Sequence, residues 1–155
     1  MLGYCLCTPS LAIEALVEIG KGLDTKVVLV ERRDPPVGYA IPGGFVNVGE
    51  SAETAALREL KEETNIIVDQ MEQFRFYSDP KRDHRRHTAS IVFRYIHPTT
   101  SAISMKKGDD AKNVVLVPLT DILTLNLAFD HKQILTEYII QYHPLIAKHL
   151  KLMPS

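Results

Sequence analysis

The sequence predicts an α/β fold in which a mixed sheet packs between helices. Three observations carry this. Several short apolar runs bounded by turn residues read as strands. Only two stretches, one central and one near the C-terminus, read as long helices. The two kinds of element do not alternate regularly, which favours a mixed sheet covered by helices over a doubly wound parallel one.

Taken in order, LAIEALVEI (11–19) alternates, placing Leu11, Ile13, Ala15, Val17 and Ile19 on one side of a strand. Gly20 and Gly22 mark a turn. KVVLVE (26–31) is a continuous β-branched run, as in a strand buried on both faces. RRDPPVGYAIPGG (32–44) reads as a Pro/Gly loop. AETAALRELKEE (52–63) consists almost wholly of good helix formers. IIVD (66–69) and QFRFYS (73–78) read as short strands, and KRDHRRH (81–87) as a charged link. TASIVFRYI (88–96) and NVVLVPL (113–119) read as further strands, with a loop over 99–112 between them. For the last helix, Asp130 is placed to N-cap, Gln133 falls at N3, and Phe129 and Ile134 have the spacing of a hydrophobic staple. It is expected to end near Tyr142, before Pro144.

A chain of 155 residues, 45% hydrophobic and 24% charged, suits a single globular domain spanning 1–155. The net charge of −1 provides no global field to recruit nucleic acid or an anionic membrane. Cys5 and Cys7 are separated by one residue, too close for an unstrained mutual disulfide. They read as small apolar residues in a reducing compartment, and a cytoplasmic location is expected. The N-terminus lacks the pattern of a signal peptide, and no apolar run approaches membrane-spanning length.

The central helix is the informative element. At 100° per residue, Ala56, Leu57 and Leu60 fall on one side and can pack on the sheet. Glu59, Glu62 and Glu63 fall on the opposite side with Ala52 and Ala55, whose small side chains leave room for a ligand. Carboxylates at this spacing repel one another by a few tenths of a kcal/mol, roughly, in an exposed helix. A divalent cation reverses that sign, and Mg²⁺ prefers oxygen ligands and phosphate partners. RELKEE alone would suit any surface helix, but the pattern extends further. It runs Gly44, five residues, Glu50, seven residues, Arg58-Glu59-Leu60, one residue, Glu62-Glu63, one residue, Asn65, Ile66.

This closely resembles the box of the Nudix family, G-x5-E-x7-R-E-U-x-E-E-x-G-U with U aliphatic. Six fixed identities and both aliphatic positions match. Chance agreement of six identities is on the order of once in ten million starts. The resemblance implies a Nudix-type α/β/α sandwich and Mg²⁺- or Mn²⁺-dependent hydrolysis of a nucleoside diphosphate linked to another group. It implies Glu59, Glu62 and Glu63 as metal carboxylates, with the Gly43 carbonyl as a further ligand. Arg58 would orient the glutamates, and Glu50 would close the loop onto the metal region. Glu59 or Glu62 would take the proton of the attacking water, with Asp109 and Asp110 as loop alternatives. Gly43 and Gly44 let backbone approach a phosphate or metal closely.

Looser matches at 78–93, 108–119 and 127–135 resemble ADP-ribose pyrophosphatases, so a small nucleotide, ADP-ribose first, is the implied substrate. Arg32 and Arg33, with Arg82, Arg85 and Arg86, are candidates to bind its phosphates, because guanidinium forks suit phosphate oxygens. A nucleoside triphosphate pyrophosphohydrolase and a non-catalytic nucleotide sensor are the rivals. RNA binding through KRDHRRH is disfavoured by the lack of interleaved aromatics. His84 and His87 are discounted as metal ligands, and Tyr39 and Phe45 could stack on a base or pack in the core. Dimerisation is common among the resembled enzymes, and a homodimer is an expectation from the resemblance alone.

One box position departs, since Asn65 stands where the family has glycine. A helix ending at Thr64 needs a left-handed residue next, which Asn tolerates better than other side-chain-bearing residues. Asn65→Gly is therefore expected to leave turnover within a few-fold of the parent. A gain of orders of magnitude in steady-state assays would contradict this.

Overall fold

The computed structural model describes residues 7–98, 102–108 and 111–153. Among the described residues seven strands are present: β1 (Ser10–Ile19), β2 (Lys26–Arg32), β3 (Gly38–Ala40), β4 (Gly43–Phe45), β5 (Glu72–Tyr77), β6 (Thr88–His97) and β7 (Ala111–Pro118). Three α-helices accompany them: α1 (Ala52–Thr64), α2 (His131–Tyr142) and α3 (Pro144–His149). No helix among the described residues is long and apolar enough to cross a membrane.

The sheet is mixed, as expected. β1 and β6 run parallel in unbroken register from Ser10↔Thr88 to Ile19↔His97. The other strand pairings among the described residues are antiparallel. The far edge of β1 is shared between β4 at its start (Glu14↔Gly43) and β2 at its end (Glu18↔Val27). β2 continues the sheet through β7 and β3. β1 is thus central, and Ala12 through Glu18 are all buried.

The two faces of β1 meet different helices. Ile13, Ala15 and Val17 join clusters with Ala55, Ala56 and Leu60 of α1. Leu16 joins Ile134, Leu135, Tyr138 and Ile139 of α2 and Ile146 of α3. The α2 positions recur at helical spacing and explain why that segment folds against the sheet.

α1 begins at Ser51, whose hydroxyl accepts the Thr54 amide at 3.1 Å. It ends at Asn65, which is left-handed with φ 63°, as the sequence requires. The acidic stripe does not face away from the sheet. Ala55 is fully buried while Leu57 is only partly covered, so the Ala55–Glu59–Glu63 line runs along the packed edge of the helix.

Several other expectations are corrected. The Pro/Gly segment 32–44 contains β3 and the start of β4, because backbone pairing with β2 and β1 makes strands that composition hides. Residues 66–69 form no strand, and Ile66 instead packs into the α1 cluster. Asp130 makes no capping bond at the start of α2, because its carboxylate is held by Arg82 at 2.8 and 2.9 Å. Gln133 bonds Glu137, and Phe129 packs with Val30, Ala40 and Ala111 while Ile134 lies in the α2 core, so neither box nor staple forms. Pro144 stops α2 but also opens α3. Cys7 is a free, exposed thiol, and Cys5 lies outside the described residues.

Burying both faces of β1 also buries two carboxylates. Glu18 Oε2 accepts from the Tyr138 hydroxyl at 2.6 Å and lies 2.8 Å from His143 Nε2. Burial raises its pKa, but the His143 and Tyr138 bonds more than offset this and hold it below its ordinary 4.5. A depressed carboxyl contributes stability above its unfolded pKa that is lost as pH falls through the folded value. Glu18→Gln is expected to cost about 1–3 kcal/mol at pH 7. Urea melts between pH 7 and 2 are expected to show its stability falling less steeply than the parent's below pH 4.5.

Candidate active site

Arg58 organises the acidic helix. Its Nε and Nη2 fork onto Glu50 at 2.7 and 3.0 Å. Its Nη1 reaches Glu59 at 2.8 Å and Glu62 at 3.1 Å, and Nη2 also donates to the Phe45 carbonyl at 3.1 Å. Glu50 in turn accepts the Asn47 amide at 2.9 Å, which closes loop 46–50 onto the helix. The Arg58 bond lowers the Glu50 pKa, and Glu50's carboxylate raises that of Arg58 further. Glu59 moves the other way. Burial pushes its carboxyl up, the negative charges of Glu62 and Glu50 add to that, and Arg58 only partly compensates.

β4 brings backbone to these acids. The Gly43 amide donates to Glu63 Oε2 at 3.1 Å. A Cβ on Gly43 would strike the Ile13 carbonyl, and one on Gly44 would strike the Glu59 carboxylate. Gly43 requires glycine because backbone closes on backbone there, whereas a Cβ at Gly44 would displace the Glu59 carboxylate. At the other end of α1, Lys106 and Gly108 amides bond the carbonyls of Thr64 and Glu63 at 2.8 and 2.9 Å. Asp109 and Asp110 lie outside the described residues.

A cleft of about 150 Å³ opens beside the β4 glycines. One wall carries Glu63, Gly43 and Gly44. The facing wall carries two arginines on one aromatic ring, with Arg32 Cζ 4.8 Å and Arg85 Cζ 5.0 Å from the Phe129 centroid. Arg32 also donates to the Pro36 carbonyl at 2.8 Å, and Arg85 forks onto the buried Asp83 at 2.9 and 3.0 Å. Burial and the Arg85 charge lower the Arg32 pKa, so an anion between the two cations would be favoured.

Phe129 reaches the cleft because β3 stitches its segment down. The Tyr39 amide bonds the Asn126 carbonyl at 2.9 Å, and the Ala128 amide bonds the Tyr39 carbonyl at 2.8 Å. Gly38, at φ 127°, permits this approach, since a Cβ there would meet the Asn126 carbonyl at 2.5 Å.

The floor of the cleft holds a buried polar group that the sequence does not reveal. Glu14 faces Arg82 at 3.3 Å, His131 at 3.4 Å and the Ser90 hydroxyl. Burial raises the Glu14 pKa, but His131, Arg82 and Ser90 more than reverse this, and the carboxyl sits below its ordinary range. In β1, Glu14 passes for an outward residue of an alternating strand. Asp130-His131 passes for the cap and first turn of a helix. Only the fold brings them together.

The predicted site residues therefore separate. Gly43, Gly44, Glu63, Arg32 and Arg82 line the cleft. Glu59 packs against Gly44, while Glu62 is more than half exposed on Arg58. Arg33 is exposed and does not line the cleft, because it follows the last paired residue of β2. Arg82 is held by Asp130 and Glu14, so its guanidinium is already engaged. Tyr39 packs against the α2 core, whereas Phe45 stays exposed at the cleft with Arg86 Cζ 5.6 Å from its ring centroid.

The donor set suits a hard divalent cation. Glu59, Glu62 and Glu63 offer only oxygen, and burial, with a smaller contribution from the charges of Glu62 and Glu50, raises the Glu59 pKa. Among the described residues, no three Asp, Glu, His or Cys side chains converge as a ready cage. Arg58 draws Glu59 and Glu62 to itself, while Glu63 turns to the Gly43 amide.

Comparison with known proteins agrees with this arrangement. The NUDIX domain family model matches residues 16–138. An ADP-ribose pyrophosphatase of Methanocaldococcus jannaschii is 38% identical over 132 residues, covering 84% of this chain and 73% of that protein. The NUDIX domain of Shewanella oneidensis NrtR, solved with ADP ribose, superposes with a TM-score of 0.78 at 26% identity, covering 88% of this chain and 90% of that one. A bifunctional NMN adenylyltransferase/ADP ribose pyrophosphatase of Francisella tularensis, solved with AMP and a Mn ion, gives a TM-score of 0.75 at 26% identity, covering 89% of this chain and 43% of that one. The spaced acids of α1, the glycines of β4 that admit them and the mixed sheet that carries both are those of one family: the chain belongs to the Nudix family.

Proposed function

We propose that the protein hydrolyses the diphosphate of ADP-ribose, giving AMP and ribose 5-phosphate, with Mg²⁺ or Mn²⁺ as cofactor. The observation that carries this is the charge layout of the cleft. Glu63 and the β4 glycines share one small cleft with two arginines held on the Phe129 ring. The M. jannaschii relative supports the choice of ADP-ribose.

Glu59, Glu62 and Glu63, with the Gly43 carbonyl, would hold the cation. When bound, it neutralises phosphate oxygens and makes water a stronger nucleophile near neutral pH. Arg58 orients Glu59 and Glu62. Arg32 and Arg85 bind the non-bridging phosphate oxygens, and the Phe129 ring keeps both guanidinium planes in place. Glu59 or Glu62 takes the water's proton, with Asp109 and Asp110 as the alternatives. Sites that bury a whole drug-sized ligand occupy roughly 300–1,000 Å³. A cleft of about 150 Å³ holds the diphosphate and one sugar, leaving the rest of the substrate outside it.

Incubation with Mg²⁺ and a panel of ADP-ribose, ADP-glucose, NADH, diadenosine polyphosphates and nucleoside triphosphates tests the proposal. AMP and ribose 5-phosphate are the expected products, abolished by chelation and restored by metal. Saturable ADP-ribose binding without turnover would identify a sensor instead, and preferential triphosphate cleavage would refute the substrate assignment. Glu62→Gln and Glu63→Gln are expected to abolish turnover with melting temperatures near the parent's. A parental rate in either variant would remove that residue from the metal set. Arg58→Ala is expected to cost about 10–100-fold in activity. Arg85→Ala is expected to raise KM by about tenfold or more, the loss of a charge-assisted bond.

A further inference from the structure

His131 is 2% exposed and lines the cleft. Its Nδ1 accepts the Ile41 amide at 3.0 Å. An imidazole nitrogen that accepts an N–H carries no proton, so the ring proton sits on Nε2. Among the described residues, Nε2 is the one buried side-chain nitrogen or oxygen with no hydrogen-bond partner. Glu14 Oε1 lies 3.4 Å away, but the N–H is not aligned to it. A buried donor left unmade costs free energy unless a ligand completes it.

The surroundings define the ligand group. Glu14 is an acceptor, so a phosphate oxygen is repelled there. Two atoms 3.4 Å apart can both lie within hydrogen-bond distance of a third atom that donates to one and accepts from the other. A hydroxyl does this. Glu14 also pairs in register with Gly43, one strand away from the β4 wall, so the position adjoins the diphosphate site.

We infer that His131 Nε2–H and Glu14 Oε1 form a donor–acceptor couple for a sugar hydroxyl next to the diphosphate, making His131 a specificity residue of this cleft. The inference rests on the cleft being the nucleotide-binding site proposed above. Neither residue belongs to the spaced motif of α1. The hydroxyl belongs to one of the two riboses of ADP-ribose.

Calorimetric binding with Ca²⁺ in place of a turnover-supporting metal tests this with three probes. These are ADP-ribose, its analogue with a 2,3-dideoxy terminal ribose, and its 2′,3′-dideoxyadenosine counterpart. The parent is expected to bind ADP-ribose about tenfold tighter than one analogue, and that analogue identifies the ribose. His131→Asn places an amide oxygen where Nδ1 accepts from Ile41 but removes the Nε2 donor. It is expected to bring the ratio within about twofold while binding the disfavoured analogue as the parent does. Proton NMR of the unaltered protein supplies a reading that needs no variant: the His131 Nε2–H resonance is expected to shift with ADP-ribose and not with that analogue.

Equal binding of all three probes by the parent overturns the inference, as does a ratio that survives His131→Asn. A variant that instead changes the preference between adenine and guanine diphosphate sugars, with hydroxyl discrimination intact, overturns it too. Binding discrimination without hydrolysis in Mg²⁺ defeats the proposed activity but upholds the couple. Failure of every probe to bind defeats both.

Discussion

The guanidinium of Arg58 is the contact on which the rest of the acidic site depends. It touches the loop through Glu50, β4 through the Phe45 carbonyl, and its own helix through Glu59 and Glu62. A planar fork with five donors can satisfy these partners together, which an ammonium cannot. The same contact sets the electrostatics. Glu50 is stabilised as an anion, while Glu59, buried among other acids, is left raised. The helix therefore presents negative charge that its own arginine only partly balances.

Strand β1 supplies the second constraint. It is buried on both faces, and its faces are chemically unlike. The side toward α1 is apolar through Ile13, Ala15 and Val17, which lets the helix close on the sheet. The side toward α2 alternates Leu16 with Glu14 and Glu18. Each buried carboxylate is matched by partners, Glu14 by the Arg82 guanidinium and the Ser90 hydroxyl, with His131 3.4 Å away, and Glu18 by Tyr138 and His143. Removing Arg82 from Glu14, or Tyr138 and His143 from Glu18, would leave an uncompensated buried charge. The two networks hold α2 in one position on the sheet, and with it the residues before α2 that enter the cleft.

The cleft then follows from two short pairings. β4 lays its glycines on β1, bringing backbone to Glu59 and Glu63. β3 stitches residues 126–128, carrying Phe129 between Arg32 and Arg85. Glu63 and the arginines Arg32 and Arg85 thus line one small cleft. That is a layout for a cation and a polyanion bound together.

The sequence by itself determined α1 and its chemistry. The spacing of Glu50, Arg58, Glu59, Glu62 and Glu63, and the left-handed stop at Asn65, are local properties of consecutive turns. The mixed sheet was legible in the irregular order of strand-like and helix-like runs, and α2 starts where expected although the local cap that predicted it does not form. Tertiary structure decided β3 and β4, whose three-residue strands exist only because β2 and β1 offer them partners. It also decided which arginines face the cleft, turning Arg33 outward and engaging Arg82 with Asp130. Above all it assembled Glu14 with His131, 117 positions apart in the chain. No periodicity carries information over that distance, and only burial makes the meeting of those two side chains matter.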